Sequence, residues 1–284
     1  RPFTLRQMQK GKGCVGMRRK TIGRFLLRSL LSIIAFAISI VNALQMENGN
    51  LAAFFLNLFG GIPPALGDSS MVFVLLFLNI PWILMLYLFA PLFLQDFSVQ
   101  YVYVFTRVGS KGRWLWQKTA RLFLQVCVSW GMVFLLCGLV GAACGFSPVG
   151  SPALYVELFA LEVLGVFTLS FAQNLLSLKL GLTQSFVLAV CVYAGALLLS
   201  AALYTQPVFS GYLMPLLPTA GQMALWHPDL AVSDALRAQF FDGAVGFFVW
   251  KSLLVEILYC AALFLGSALY FRKADLIQFI KEET

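Results

Sequence analysis

Charge is scarce in this chain. Asp, Glu, Lys and Arg together make up 11% of its 284 residues, against about a quarter in an average soluble domain. Hydrophobic residues reach 60%, 27 of the residues are Phe, and the mean hydropathy is +0.86. Lipid rather than water is the solvent this composition suits. Histidine is scarcer still. His227 stands alone, which excludes a His-rich zinc site. The sequence contains no H-E-x-x-H, no G-x-S-x-G and no Walker G-x-x-x-x-G-K-[ST] pattern, and "GSKGR" at 109–113 lacks the spacing of a phosphate loop. No catalytic residue or metal site is therefore assigned, and ATP-driven work would require another subunit. The six cysteines, Cys14, Cys127, Cys137, Cys144, Cys191 and Cys260, include no C-x-x-C pair. They read as small apolar packing residues.

Acids are absent before Glu47, whereas nine bases precede the first long apolar run: Arg1, Arg6, Lys10, Lys12, Arg18, Arg19, Lys20, Arg24 and Arg28. A helix needs about 20 mainly apolar residues to cross the hydrocarbon core. Six stretches qualify: 23–44, 71–94, 119–144, 152–178, 183–204 and 247–271. The expected fold is all-α, one transmembrane domain over 1–284 with six spans. Lys and Arg gather in alternate loops, which by the positive-inside rule puts both termini and the 95–118 loop in the cytoplasm. The first and fifth loops, by contrast, hold Glu47, Asp68, Asp229, Asp234 and Asp242 against Arg237. The excess of bases, with a pI near 9.3, thus follows membrane topology and implies no nucleic-acid partner. The run 23–44 exceeds the roughly 7–15 apolar residues of a signal peptide, so it is expected to be a retained span. The chain begins at Arg1 rather than Met, which leaves the native start open.

The 1–22 segment mixes bases with Phe3, Leu5, Met8, Val15 and Met17, a composition suited to lying along the inner leaflet. In the basic loop, "VYVFTRVGSKGRWLWQK" (102–118) breaks the apolar pattern. Tyr101, Val104, Phe105 and Val108 fall at i, i+3, i+4 and i+7, one face of a short helix, accompanied by Arg107. A turn is expected at 109–112, with Lys111 inside it. Arg113, Trp114, Trp116 and Lys118 follow, and the two Trp and Lys118 are expected to anchor the loop at the membrane interface. The 205–246 loop, broken by Pro207, Pro215 and Pro218, is apolar but too short to span. It suggests a re-entrant or outer-interface element, and 45–70 has the same character, so the two predict an apolar lid.

Ionisable residues within spans are few, and such residues usually face a bundle interior. Glu162 lies near the midplane of the fourth span, with Asn79 and Asn174 as further polar positions; these three are the candidate substrate path or interhelical ties. Asn79-Ile80-Pro81 predicts a kink. Glu157 with Lys251 is a candidate ion pair, and Glu256 lies on the sixth span.

Taken together, these elements resemble a type-2 permease of ATP-binding-cassette (ABC) exporters. The resemblance rests on the six-span order, the basic N-terminal segment, the basic elbow, the broken segment before the last span and the ending "ALYFRKADLI". It includes Asp96 followed by "TRVGSKGRWLWQK" with Lys118 in the family's lysine position, and Tyr270, Phe271, Arg272, Lys273 and Asp275 in the tail pattern. It covers nearly the whole chain. It implies an ABC ATPase subunit carrying ATP and Mg, which would dock on Tyr101–Val108 as the coupling elbow with Lys111 and Arg113 beside it. A second permease subunit, identical or sister, is implied as well, in a bacterial cytoplasmic membrane, with export of an amphipathic peptide, lipid or drug by alternating access. The same topology suits a non-transporting peptide-sensing or immunity subunit paired with an ATPase. An intramembrane lipid-modifying enzyme is a further reading, and it would require clustered polar groups at one leaflet.

Overall fold

The computed structural model of the chain describes residues 49–61, 79–95, 110–148, 150–204, 206–240 and 243–273, with further positions between 23 and 44. It is all-helical, and among the described residues the only β pairing is an isolated bridge between Asn50 and Ser147. Helix α1 comprises the described helical residues between 23 and 44. Then follow α2 (Leu51–Phe59), α3 (Ile80–Phe89), α4 (Lys111–Ala143), α5 (Pro152–Tyr204), the single turns α6 (Pro207–Ser210) and α7 (Asp234–Arg237), and α8 (Val249–Lys273). Among the described residues three helices are long and apolar enough to cross a membrane: Lys111–Ala143, Pro152–Tyr204 and Val249–Arg272. The expected spans 23–44 and 71–94 are only partly described.

α5 is one run of 53 residues interrupted at Gly181, whose φ of 77° and ψ of 173° leave the helical region. A left-handed φ favours glycine because it has no Cβ. The chain reverses there. Trp82 and Phe93 meet Glu162 and Asn174 in the first arm, so that arm runs parallel to α3. Asn79 and Tyr87 meet Tyr193 and Phe186 in the second, which therefore runs antiparallel. This agrees with the turn expected between 178 and 183.

α4 starts eight residues earlier than the expected third span, so Lys111 and Gly112 of the turn expected at 109–112 are helical while Ser110 is extended. Ser110 caps the helix by accepting from the Arg113 amide at 3.3 Å, which satisfies one of the helix's unpaired first-turn donors. Gly112, Arg113, Trp114, Trp116 and Lys118 thus belong to α4.

Asn79 is non-helical and Ile80 begins the described helical part of the second expected span, so the expected kink at Asn79-Ile80-Pro81 stands at the edge of the described residues. Proline occupies the first turn of α3, where its missing N–H costs nothing. At the other end of α3 the helix breaks where Pro91 falls in a 3-10 turn, Ala90–Leu92.

The 45–70 loop contains α2, capped by Asn50, whose side chain accepts from the Ala52 amide. Its Phe55 and Phe59 are buried and join an aromatic core with Phe36, Trp82, Trp130 and Phe134. Phe59 stacks on Phe134 at 4.7 Å. Burial of several such rings, each removing roughly 150–250 Å² from solvent, anchors α2 among α1, α3 and α4.

Bases without acids gather at one end of the bundle among the described residues. Trp114 of α4 contacts Phe93 and Phe271, and Lys179 lies over Tyr270. The starts of α4, the Gly181 turn and the end of α8 therefore share one end, which carries Lys111, Arg113, Lys179 and Arg272. Glu157, Asp229 and Asp234 belong to the other end, with the 206–240 segment, and there they stand against Arg237 and Lys251.

Candidate functional site

The polar residues of the bundle fall into three groups, each positioned by α5. The first lies between α3 and both arms of α5. Glu162 is ten residues into α5, roughly 15 Å along its axis at about 1.5 Å per residue. It is 1% exposed, and its Oε2 accepts from Trp82 Nε1 at 2.6 Å. Tyr193 donates to Asn79 Oδ1 at 2.6 Å. Sequence reasoning found Glu162 and Asn79 but missed Trp82 and Tyr193. The signal was available, since buried Trp and Tyr seek a partner for their N–H or O–H.

Asn174, expected as part of the same path, has a different role. The 3-10 turn at Pro91 separates Phe93 N–H from Phe89 C=O, which would bond each other in a continuous α-helix. The Asn174 side chain fills the gap. Its Oδ1 accepts from Phe93 N at 3.0 Å and its Nδ2 donates to Phe89 O at 2.9 Å and to Ser170 O at 2.8 Å. All three contacting groups are backbone, and Asn174 is a structural splint.

The second group lies on the opposite side of the first arm, against α8. Thr168 hydrogen-bonds Leu164 O and lies 3.2 Å from Cys260 Sγ. Glu256, buried, neighbours Thr168. Gly165 is packed so closely against Gln222 that an added Cβ would lie 2.6 Å from its Cγ. Gly221 faces Ser252. Both side-chain ends of Gln222, Ser252 Oγ and Glu256 Oε2 are buried without hydrogen-bond partners. Only Glu256 was visible in the sequence as a candidate. Gln222 and Ser252 are brought in by the fold.

The third group caps the acidic end. Short 3-10 turns at Met214–Leu216, Ala220–Gln222 and Ala224–Trp226 carry a largely buried chain across the bundle. Leu225 N donates to Gly60 O at 2.7 Å, tying the cap to α2. His227 is fully buried, stacked on Phe247 at 4.1 Å, with ring nitrogens 3.1 Å from Phe247 O and 3.3 Å from Gly221 O. Burial pushes its pKa down to about 4 by disfavouring the charged ring. Arg237 donates to His227 O and Leu230 O. Asp229 accepts from Val249 N at the start of α8.

The expected Glu157–Lys251 ion pair does not form. Glu157 accepts from Ala231 N at 2.8 Å, whereas Lys251 donates to Gly246 O at 2.9 Å and Gly211 O at 3.2 Å. Each charge ties the cap through its backbone, where unpaired polar groups are costly.

Of the expected elbow, Tyr101, Val104, Phe105, Arg107 and Val108 lie outside the described residues, as do 1–22 and 274–284. Lys111 and Arg113 occupy the first turn of α4. Trp114 is not an interface anchor, because it is 2% exposed and packed between Phe93 and Phe271. Trp116 is 63% exposed and points outward beside Phe264. Lys118 is half-buried. Among the described residues no three His, Cys, Asp or Glu side chains form a metal-binding group, and the five described cysteines are free thiols.

Compared with known proteins, the chain matches no family model, no curated protein and no solved structure.

Proposed function

We propose that this chain is the transmembrane permease subunit of an ABC exporter, moving an amphipathic substrate across a bacterial cytoplasmic membrane. The observation that carries the reading is the gathering of bases at one end of the bundle. Lys111, Arg113, Lys179 and Arg272 occupy the end that the elbow enters, and an apolar cap, with Glu157, Asp229 and Asp234 against Arg237 and Lys251, closes the other. This supports six spans with both termini and the elbow on the cytoplasmic side. The contact of Gln222 with Gly165, roughly 20 Å into α5 at about 1.5 Å per residue, supports a re-entrant 206–246 segment.

In this reading the chain itself has no catalytic role. Tyr101–Val108 docks on a separate ATPase that binds ATP and Mg, and a second permease completes the pump. ATP-driven closure tilts α1, α3 and α4 as a body and shifts the bundle between two packings. Trp114, held between Phe93 and Phe271, would make the start of α4 a stiff lever joined to α3 and α8. The intramembrane acids do not favour an enzyme, since Glu162 pairs with Trp82 and Glu256, on α8, faces Thr168 on the other side of the first arm of α5.

Co-purification in mild detergent, followed by mass spectrometry and ATPase assay, tests the proposal. A stoichiometric ATP-binding subunit, lost in Phe105→Glu and in Arg107→Glu, is the expected result. A preparation without any ATPase would overturn it. Substrate export in reconstituted vesicles separates a pump from an ATPase-coupled sensor.

A further inference from the structure

An open groove of about 740 Å³ runs between the first arm of α5 and α8. It begins below the cap, at Pro218, Thr168 and Tyr259, and ends at Lys179, Tyr270 and Phe271. From Tyr259 to Phe271 it follows α8 for roughly 18 Å, at about 1.5 Å per residue. That length matches one leaflet, half of a hydrocarbon core about 30 Å thick. Leu175, Leu176, Ala262, Leu263 and Gly266 line it. A Cβ at Gly266 would meet nothing within 4 Å, so the floor there is empty space rather than packed protein.

Charge occurs only at one end of the groove. The Lys179 ammonium lies 4.6 Å from the centre of the Tyr270 ring, held over the groove's mouth by the ring's quadrupole. Arg272, exposed, follows two residues later on the same helix. Among the described residues no acid lines the groove.

We infer that this groove is a binding site for one acyl chain of an anionic phospholipid, with the headgroup phosphate at Lys179 and Arg272. An apolar slot one leaflet long, with cations at its basic end, is complementary to such a lipid in both length and charge. Basic pockets between membrane helices take anionic headgroups for the same reason. The inference does not rest on the exporter reading, because it requires only that α5 and α8 cross a bilayer.

The test is lipid retention by the full chain in nanodiscs of mixed phosphatidylglycerol and phosphatidylcholine, followed by detergent extraction and native mass spectrometry. The wild type is expected to retain phosphatidylglycerol in preference to phosphatidylcholine. Gly266→Leu is expected to fill the slot and abolish retention of either lipid while the fold is kept. Lys179→Gln, at an exposed position, is expected to retain lipid but lose about fivefold of the preference, the worth of one base near an anionic headgroup. Equal retention of both lipids by the wild type would overturn the inference, as would unchanged retention in Gly266→Leu. A change of oligomeric state in Gly266→Leu without loss of lipid would also overturn it, and would make the groove a seat for a second copy.

Discussion

The two sides of the first arm of α5 are built on different principles. Toward α3, polar groups reach partners across the interface, Asn174 with Phe89 and Phe93 and Glu162 Oε2 with Trp82, and Glu162 Oε1 alone of these is buried without one. Toward α8, Gln222, Ser252 and Glu256 keep unpaired polar atoms, and the interface opens into a groove. A buried polar group without a partner costs free energy that a paired one does not. The α3 side is therefore a fixed joint, and the α8 side is where a ligand or a change of packing gains most.

The largest expected effect breaks the fixed joint. Asn174→Leu strands Phe93 N–H and Phe89 C=O, and about 1–3 kcal/mol per buried unsatisfied group predicts a large drop in the thermal midpoint measured in detergent. Pro91→Ala in the same chain would allow the α-helical bond from Phe93 to Phe89 to form. The double variant is expected to recover part of the loss, and a strictly additive loss would contradict the splint role.

Trp82→Phe leaves Glu162 Oε2 without its donor and is expected to cost about 1–3 kcal/mol. Glu162→Gln retains an acceptor for Trp82 and is expected to cost less. The reverse order, read from the same thermal scans, would mean that the carboxyl has another task.

The cap offers a third comparison. An added Cβ at Gly243 would lie 2.6 Å from the Pro228 backbone nitrogen. Gly243→Ala is thus expected to destabilise the chain, by about 1–3 kcal/mol for overpacking of this kind. Gly266→Ala, facing the open groove, is expected to be neutral or stabilising by about 0.5–1 kcal/mol, the helix preference for Ala over Gly.

The smallest effect is a pH response of the cap. His227 titrates near 6.5 in an unfolded chain and at about 4 here. The unfolded state binds the proton first, so cap stability is full above 6.5 and falls as pH drops toward 4. Fluorescence of the neighbouring buried Trp226 at pH 4 to 7 reads this loosening, and His227→Gln is expected to flatten its His-dependent part.

Much of the fold was legible because it depends on local composition. The apolar runs at 152–178, 183–204 and 247–271 match helical segments of the structure to within a few residues. The short gap between the runs ending at 178 and starting at 183 marked the turn that Gly181 makes. α2 was not legible, since its nine residues are too short for a span and carry no polar alternation. Its helical state comes from the aromatic core that receives it. Trp114 was misplaced for a related reason. Beside Arg113, a Trp reads as a headgroup anchor, and only the meeting with Phe93 and Phe271 turns it into core.

The sequence by itself determined the solvent, the helical class and the charge asymmetry between the ends, since each follows from which residue types stand next to one another. Tertiary structure alone decided what the polar residues are for. The bonds from Trp82 to Glu162, Phe93 to Asn174 and Asn174 to Phe89 join residues 80, 81 and 85 positions apart, a distance over which no local pattern carries information. It also decided that Gly165 is pressed against Gln222 while Gly266 opens onto a groove. Both are glycines in apolar helices, and only the neighbour brought by the fold distinguishes them.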